Sequence, residues 1–353
     1  MNGNGRYPTG AAGPGASGSR GRGLAVVMGL ALLAWGAASA APEKPVRVGL
    51  VLSVGGLGDK SFNDGAYEGL KRATRELDIL PYDGEPTMVA EDDRYFRRYA
   101  VEGFDLVIGV GFLMQSSLEA VAKEFPRIHF AIVDAFVDLP NVASLLFKEH
   151  EGSFLVGAAA AMATKTNVIG FVGGMEIPLI HKFRVGYGEG ARYLNPRIEV
   201  LEKFAGSGPE AFSDPFKGKQ LTETMIAQKA DVIFHASGST GNGVIEACKQ
   251  HGVLAIGVDA NQDYMAKGYV LTSMVKRVDV AIFELVKEVK AGRFRAGPHV
   301  LGLAENGVCT TDFAYTKQKM PAGFEAKLEA IRQKIIRGEI LVTDYTARPA
   351  AAK

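Results

Sequence analysis

The sequence predicts an α/β protein of two doubly wound lobes, each built on a parallel sheet, with a central ligand cleft. Three observations carry this. Apolar runs of strand length alternate with stretches of helical periodicity, the alternation runs through once and then begins again, and the residues just after the runs are small, hydroxylated, acidic or aromatic. Runs apolar enough to be buried on both faces, with helices between them, imply parallel strands covered on both sides.

The first strand is Val46-Arg47-Val48-Gly49-Leu50-Val51-Leu52, which ends in the cluster Gly55-Gly56-Leu57-Gly58 before a helix over Asn63–Leu77. Asp105–Val110 is the next expected strand and precedes a helix through Leu118 and Val121; Ile128–Val133 and Val142–Phe147 follow. The pattern then restarts. Glu151–Thr164 is small and apolar at helical spacing, and strands are expected at Val168–Val172, Glu199–Phe204, Asp231–Ala236 and Val253–Val258 with a helix between each and the next. A last amphipathic helix over Pro321–Ile336 carries Leu328, Ile331 and Ile335 near one face, and Ala347–Lys353 reads as a frayed tail.

Composition excludes several functions. The 353 residues hold 40 Lys+Arg against 39 Asp+Glu, with 47% hydrophobic and 22% charged, so the chain buries a large core and has no bulk attraction for nucleic acid. It has no Lys/Arg run that would serve as a local basic stripe either. Two cysteines, Cys248 and Cys309, allow one bridge or two free thiols, but no disulfide framework and no Cys-based metal site. Residues 1–40 read as a signal peptide: Arg6, Arg20 and Arg22 in a leader without acids, an apolar run Leu24–Trp35, then Ala38-Ser39-Ala40 as the cleavage site. That apolar run is shorter than the roughly 20 residues a membrane span needs. With no cysteine near Ala40, an N-terminal lipid anchor is not expected, and the product is expected to be a freely diffusing periplasmic protein.

In doubly wound sheets ligands sit beyond the carboxyl ends of the strands. Those positions hold Ser53 to Asn63, Gly111-Phe112, Asp134, Gly173-Gly174, His235 to Gly243, and Asp259, a set suited to hydrogen bonding a polar, hydroxylated ligand. Enzyme readings find less support. Gly55-Gly56-Leu57-Gly58 lacks the G-x-G-x-x-G spacing and Gly238-Ser239-Thr240-Gly241-Asn242-Gly243 lacks the P-loop lysine, so neither is a nucleotide fingerprint, and an unphosphorylated ligand or a plain tight turn explains both. Six scattered histidines form no H-E-x-x-H pair and there is no G-x-S-x-G elbow, so neither a catalytic metal nor a cofactor is called for.

The stretch Val51-Leu52-Ser53-Val54-Gly55-Gly56-Leu57-Gly58-Asp59-Lys60-Ser61-Phe62-Asn63 resembles the signature of the basic membrane protein family, also called purine nucleoside receptor A-like: substrate-binding proteins of ABC importers. Gly103–Phe112, Phe130–Asp134, Phe171–Met175 and Ile256–Asp259 fall in the family's order, so the similarity covers roughly residues 46–289. The resemblance implies a type I periplasmic-binding fold, in which the chain crosses three times between lobes. With crossings near His150, Ala260 and Ala296, one lobe takes residues 46–149 and 261–295 and the other 150–260 and 296–345.

It also implies a monomeric receptor that binds a nucleoside, purine by expectation, and delivers it to an ABC permease in the inner membrane. Phe62 matches the aromatic that stacks on the base, with Phe212 as its partner from the other lobe; Asp134, Asp259 and Lys276 match the groups that hold ribose hydroxyls, and Gly238 gives a backbone contact. Ser53, Asp59, Ser61 and Asn63 complete the expected site. Ser53 stands where nucleoside-binding members carry an Asp that contacts the base. The bland readings are a core position for Phe62, helix caps for Asp134 and Asp259, and a solvated place for Lys276 at the end of an edge strand. The alternative ligand is another hydroxylated metabolite, a sugar or a modified nucleoside, and the alternative class is a secreted nucleoside hydrolase.

Overall fold

The computed structural model describes residues 44–347, so the expected signal peptide and the last six residues of the tail lie outside the described part. The chain order is β1 (Val46–Val51), α1 (Phe62–Leu77), β2 (Ile79–Gly84), α2 (Asp92–Val101), β3 (Leu106–Val110), α3 (Gln115–Glu124), β4 (His129–Val133), β5 (Val142–Phe147), α4 (Glu149–Ala163), β6 (Val168–Met175) and α5 (Pro178–Leu194). It continues through β7 (Glu199–Gly206), α6 (Pro215–Ala227), β8 (Val232–Ala236), α7 (Thr240–His251), β9 (Leu254–Asp259), β10 (Val270–Lys276), α8 (Val278–Lys290), β11 (Gly297–Leu301), β12 (Val308–Thr310) and α9 (Phe324–Ile336).

Two six-stranded sheets result, ordered β11-β5-β4-β3-β1-β2 and β12-β10-β9-β8-β6-β7. All pairings are parallel except β10 with β12. In each sheet the order reverses once, at β1/β3 in the first and at β6/β8 in the second, and such a switch point opens a crevice beyond the strand ends. Central strands such as β3 and β8 are buried along their whole length, which is why they read as unbroken apolar runs rather than as alternation.

The lobe boundaries differ from expectation at two of the three crossings. Residues 261–276 were assigned to the first lobe, yet β10 runs parallel beside β9, with Thr272 opposite Ile256 and Val275 opposite Asp259, so it extends the second sheet. The chain crosses only at Arg277, after which α8 packs on α1. Likewise Gly297–Leu301 belongs to the first sheet, against β5, and the third crossing falls after Leu301 rather than at Ala296. The first crossing, at Lys148 and Glu149, agrees with the expected position near His150. The three strands of chain lie side by side: Lys148 N–H donates to Leu301 O at 2.9 Å and Arg277 N–H to Gly307 O at 2.8 Å. The strand β2 and helix α2 had no counterpart in the sequence reading; β2 is an edge strand with four exposed residues in its middle and lacks the apolar run.

Helices α4 and α5 cross at backbone distance because small residues meet there. A Cβ on Gly190 would lie 1.9 Å from Phe154 O, and one on Gly157 would lie 2.1 Å from Tyr187 O. Gly190→Ala is therefore expected to destabilise the protein by roughly 1–3 kcal/mol through overpacking, seen as a lower urea midpoint at unchanged slope. A wild-type midpoint would show that the helices separate at no cost.

Candidate functional site

A cavity of about 780 Å³, its mouth included, lies between the strand ends of the two sheets. Nine of the ten expected residues line it: Ser53, Asp59, Phe62, Asn63, Asp134, Phe212, Gly238, Asp259 and Lys276. Ser61 stands behind it and donates its hydroxyl to Asp259 Oδ2 at 2.6 Å, a bond from one lobe to the other. A second link between the lobes runs from Gln262 Nε2 to Lys60 O at 3.1 Å.

Asp134 follows β4 directly, Asp259 is the last residue of β9, and both take left-handed backbone angles, φ 67° and 62°. For residues other than glycine this conformation costs on the order of 1 kcal/mol or more, and such strain clusters at functional sites. Here it turns both carboxyl groups out of the sheet ladder and into the cleft. Lys276, the last residue of β10, is buried rather than solvated, and its Nζ lies 2.5 Å from Asp134 Oδ2 and 3.0 Å from Glu149 Oε1. Glu149 Oε2 in turn lies 2.5 Å from Lys182 Nζ. Two ammonium groups thus face three carboxylates, counting Asp259. Burial pushes the Asp259 carboxyl up to about 6, against the pull of Lys276 and the Ser61 hydroxyl. Burial raises Asp134 as well, despite Lys276. Burial works the same way on Glu149, but with Lys276 and Lys182 on either side it is held below the usual range.

The rest of the cavity is aromatic and aliphatic. Phe62 has the Lys276 ammonium 5.1 Å from its ring centroid on one side, and across the cleft Phe112 meets Phe212 edge to face at 6.4 Å. Gly174 makes room for Phe212, since a Cβ there would sit 2.2 Å from the ring, and Gly238, at φ +56°, lets the backbone pass under Phe212 O. Phe183, Leu179 and Pro209 add apolar wall. The sequence reading missed Phe183, Glu149 and Lys182. Lys182 and Phe183 lie inside α5, away from any strand end, and Glu149, two residues after β5, reads as the first residue of a helix.

Two expected residues serve the protein itself. Asp59 accepts from the backbone N–H groups of Ser61, Asn63 and Asp64 at 2.9, 2.8 and 3.1 Å, and so anchors the start of α1. Asn63 Oδ1 accepts the backbone N–H of Ser53 at 3.0 Å, which fixes its amide orientation, and the Ser53 hydroxyl donates to the same oxygen at 3.1 Å. Ser53 therefore offers the cavity neutral lone pairs.

The glycine-rich turns are not phosphate cradles. In the first, the N–H groups of Gly58 and Lys60 donate to the Asp64 carboxylate at 2.8 and 2.9 Å and that of Leu57 to Glu85 at 2.9 Å, so anions already fill it. In the second, the small residues serve packing: a Cβ on Gly243 would lie 1.7 Å from Pro215 O. Nearby His235 is buried and kept neutral, its pKa down at about 4 through burial, and its Nε2 lies 3.0 Å from Gln262 Oε1. That oxygen also accepts the Val258 N–H, so the proton of this pair sits on His235 Nε2. Cys248 and Cys309 are both free thiols.

Comparison with known proteins agrees with this architecture. The profile of the family described as Bmp, ABC transporter substrate-binding protein PnrA-like, matches residues 46–346. The chain is 34% identical to a CD4+ T-cell-stimulating antigen of Listeria monocytogenes, over 86% of this chain and 89% of that protein. It is 33% identical to the ABC transporter nucleoside-binding protein BmpA of Lactococcus lactis, over 74% and 80% of the two chains. It is also 35% identical to an uncharacterized lipoprotein of Pyrococcus abyssi, over 78% and 71%. Among solved structures, a solute-binding protein of an ABC transporter system from Aeropyrum pernix superposes with a TM-score of 0.77 at 32% identity, covering 86% of this chain and 95% of that one.

Proposed function

This chain belongs to the PnrA-like family of ABC transporter substrate-binding proteins, and on that premise we propose that it binds a nucleoside in the cleft between its lobes and presents it to a membrane permease without chemically changing it. The observation that carries the proposal is the mixed lining of one cavity. It holds Asp134, Asp259 and Lys276, a set that accepts from and donates to adjacent hydroxyls. The same cavity is lined by Phe62, Phe112, Phe183 and Phe212, which suit a flat ring. A lone sugar would leave those rings uncovered, and a nucleotide phosphate at the first glycine-rich turn would meet N–H groups that already face carboxylates. Ser53, a neutral acceptor where an Asp would carry charge, accepts a base N–H or amino group without demanding one.

Hydroxyl contacts from both lobes favour the arrangement in which the lobes meet, and that arrangement is what a permease reads. The name of the Lactococcus relative supports the ligand class. The same carboxylates weigh against a hydrolase: Asp134 is tied to a buried ammonium, which lowers its strength as a base.

Isothermal titration of the exported chain, refolded to remove carried-over ligand, against nucleosides, free bases and simple sugars tests the proposal. Nucleosides are expected to bind, and Phe62→Ala to weaken them about tenfold, the loss of one stacking surface. A sugar that binds where every nucleoside fails refutes the ligand, and free base accumulating in an Asp134-dependent manner refutes the receptor.

A further inference from the structure

Glu149 is fully buried and does not line the cavity, yet it touches the group that does. It is the first residue of α4, at the first crossing between the lobes. One of its oxygens lies 3.0 Å from Lys276 Nζ, one residue before the second crossing at Arg277. The other lies 2.5 Å from Lys182 Nζ, and that ammonium also donates to Phe147 O, at 2.5 Å, at the end of β5. The neighbouring residue pairs continue the arrangement: Lys148 N–H bonds Leu301 O, and Leu303 N–H donates to Glu151 Oε2 at 2.8 Å across the third crossing. The segments on which the lobes turn are thus joined around one buried carboxylate, two bonds from the cleft.

The geometry of Lys276 depends on this contact. Its ammonium lies between Asp134 and Glu149, against the Phe62, Phe147 and Phe183 rings. Without the second carboxylate its remaining protons would be free to turn toward Asp259, covering the acceptor that ligand hydroxyls need. We propose that Glu149 is a positioning residue that keeps Lys276 on Asp134 and off Asp259 and transmits cleft occupancy to the three crossing segments. The inference rests on the nucleoside reading above.

The test compares Glu149→Gln, Glu149→Asp and Lys182→Gln with the wild type in two readouts: nucleoside affinity, and the distance between spin labels on Arg75→Cys in α1 and Gln250→Cys in α7, in a background carrying Cys248→Ser and Cys309→Ser. Glu149→Gln is expected to weaken binding about tenfold or more, because Lys276 loses one of the two buried carboxylates beside its ammonium. It is also expected to leave a broad distance distribution at saturating nucleoside, where the wild type gives one short distance. Glu149→Asp keeps the charge and is expected to recover part of both. If Glu149→Gln does not fold, Glu149→Asp carries the same readouts with a smaller shift. Wild-type affinity and closure in Glu149→Gln overturn the inference, and so does an equal loss in Lys182→Gln, which would mean that any gap in this buried packing has the same effect. A wild type that binds no nucleoside overturns the nucleoside reading itself, before any variant is compared, and the inference with it.

Discussion

Asp259→Asn is expected to lower nucleoside affinity by roughly a hundredfold and to weaken its pH dependence below neutrality, Asp134 supplying what remains. The size follows from what the carboxylate does in the empty cleft. It accepts one hydroxyl, from Ser61, and its other oxygen accepts no hydrogen bond among the described residues. Ligand hydroxyls donating to it gain charge-assisted bonds of about 1.5–3 kcal/mol each, and an amide of the same shape keeps only the weaker neutral form. The pH dependence follows from burial, which lifts Asp259 from 3.8 to about 6 before ligand arrives. Ligand needs the ionised form, so binding expels a proton below about pH 6, and affinity falls there by up to about tenfold per pH unit. Titrations at pH 5.5 in two buffers of different ionisation enthalpy read that proton directly. The stability of the ligand-free protein moves the opposite way. A raised folded-state pKa means that the folded chain holds the proton more tightly than the unfolded one, so this contribution is complete below about 4 and is lost as pH rises through 6. Affinity that stays flat from pH 7 to 5, and is unchanged in Asp259→Asn, would remove Asp259 from the site.

Much of this was legible in the chain because parallel strands buried on both faces leave an apolar run, and because the fold places its ligand groups just after such runs. Asp134, Phe112 and Asp259 are found by that rule alone. What escaped has a physical reason in each case. Edge strand β2 lacks a continuous run. The crossing expected near Ala260 placed residues 261–295 in the first lobe, and Lys276 read as solvated because it ends an edge strand; yet β10 continues the second sheet, where Thr272 hydroxyl meets Thr311 at 2.8 Å and Ser273 hydroxyl donates to Asp263 at 2.7 Å. Glu149 and Lys182 are charged residues on helices, ordinarily a surface signal; only the convergence of three distant crossing segments buries them together.

Lys276→Met should be the most damaging single change in the protein, because it removes one partner of a buried pair and leaves the other. Asp134 Oδ2 then has no partner, and Oδ1 already accepts no hydrogen bond among the described residues. Lys182 can serve Glu149 but is not within ion-pair distance of Asp134. Stranding a buried charge in this way costs roughly 3–5 kcal/mol, whereas replacing both partners by groups of similar shape is often neutral. Urea unfolding at pH 7 without ligand is therefore expected to show a loss of that size for Lys276→Met and recovery of much of it in Lys276→Met/Asp134→Asn, while nucleoside binding stays lost in both. Acid separates this account from simple mispacking. Losing its ammonium raises Asp134 further, so lowering the pH favours the neutral form of the stranded group and brings the variant closer to the wild type. A deficit under 1 kcal/mol at pH 7, or one that the second substitution fails to relieve, would mean that the pair carries no such tension and that Asp134 is held by contacts other than Lys276.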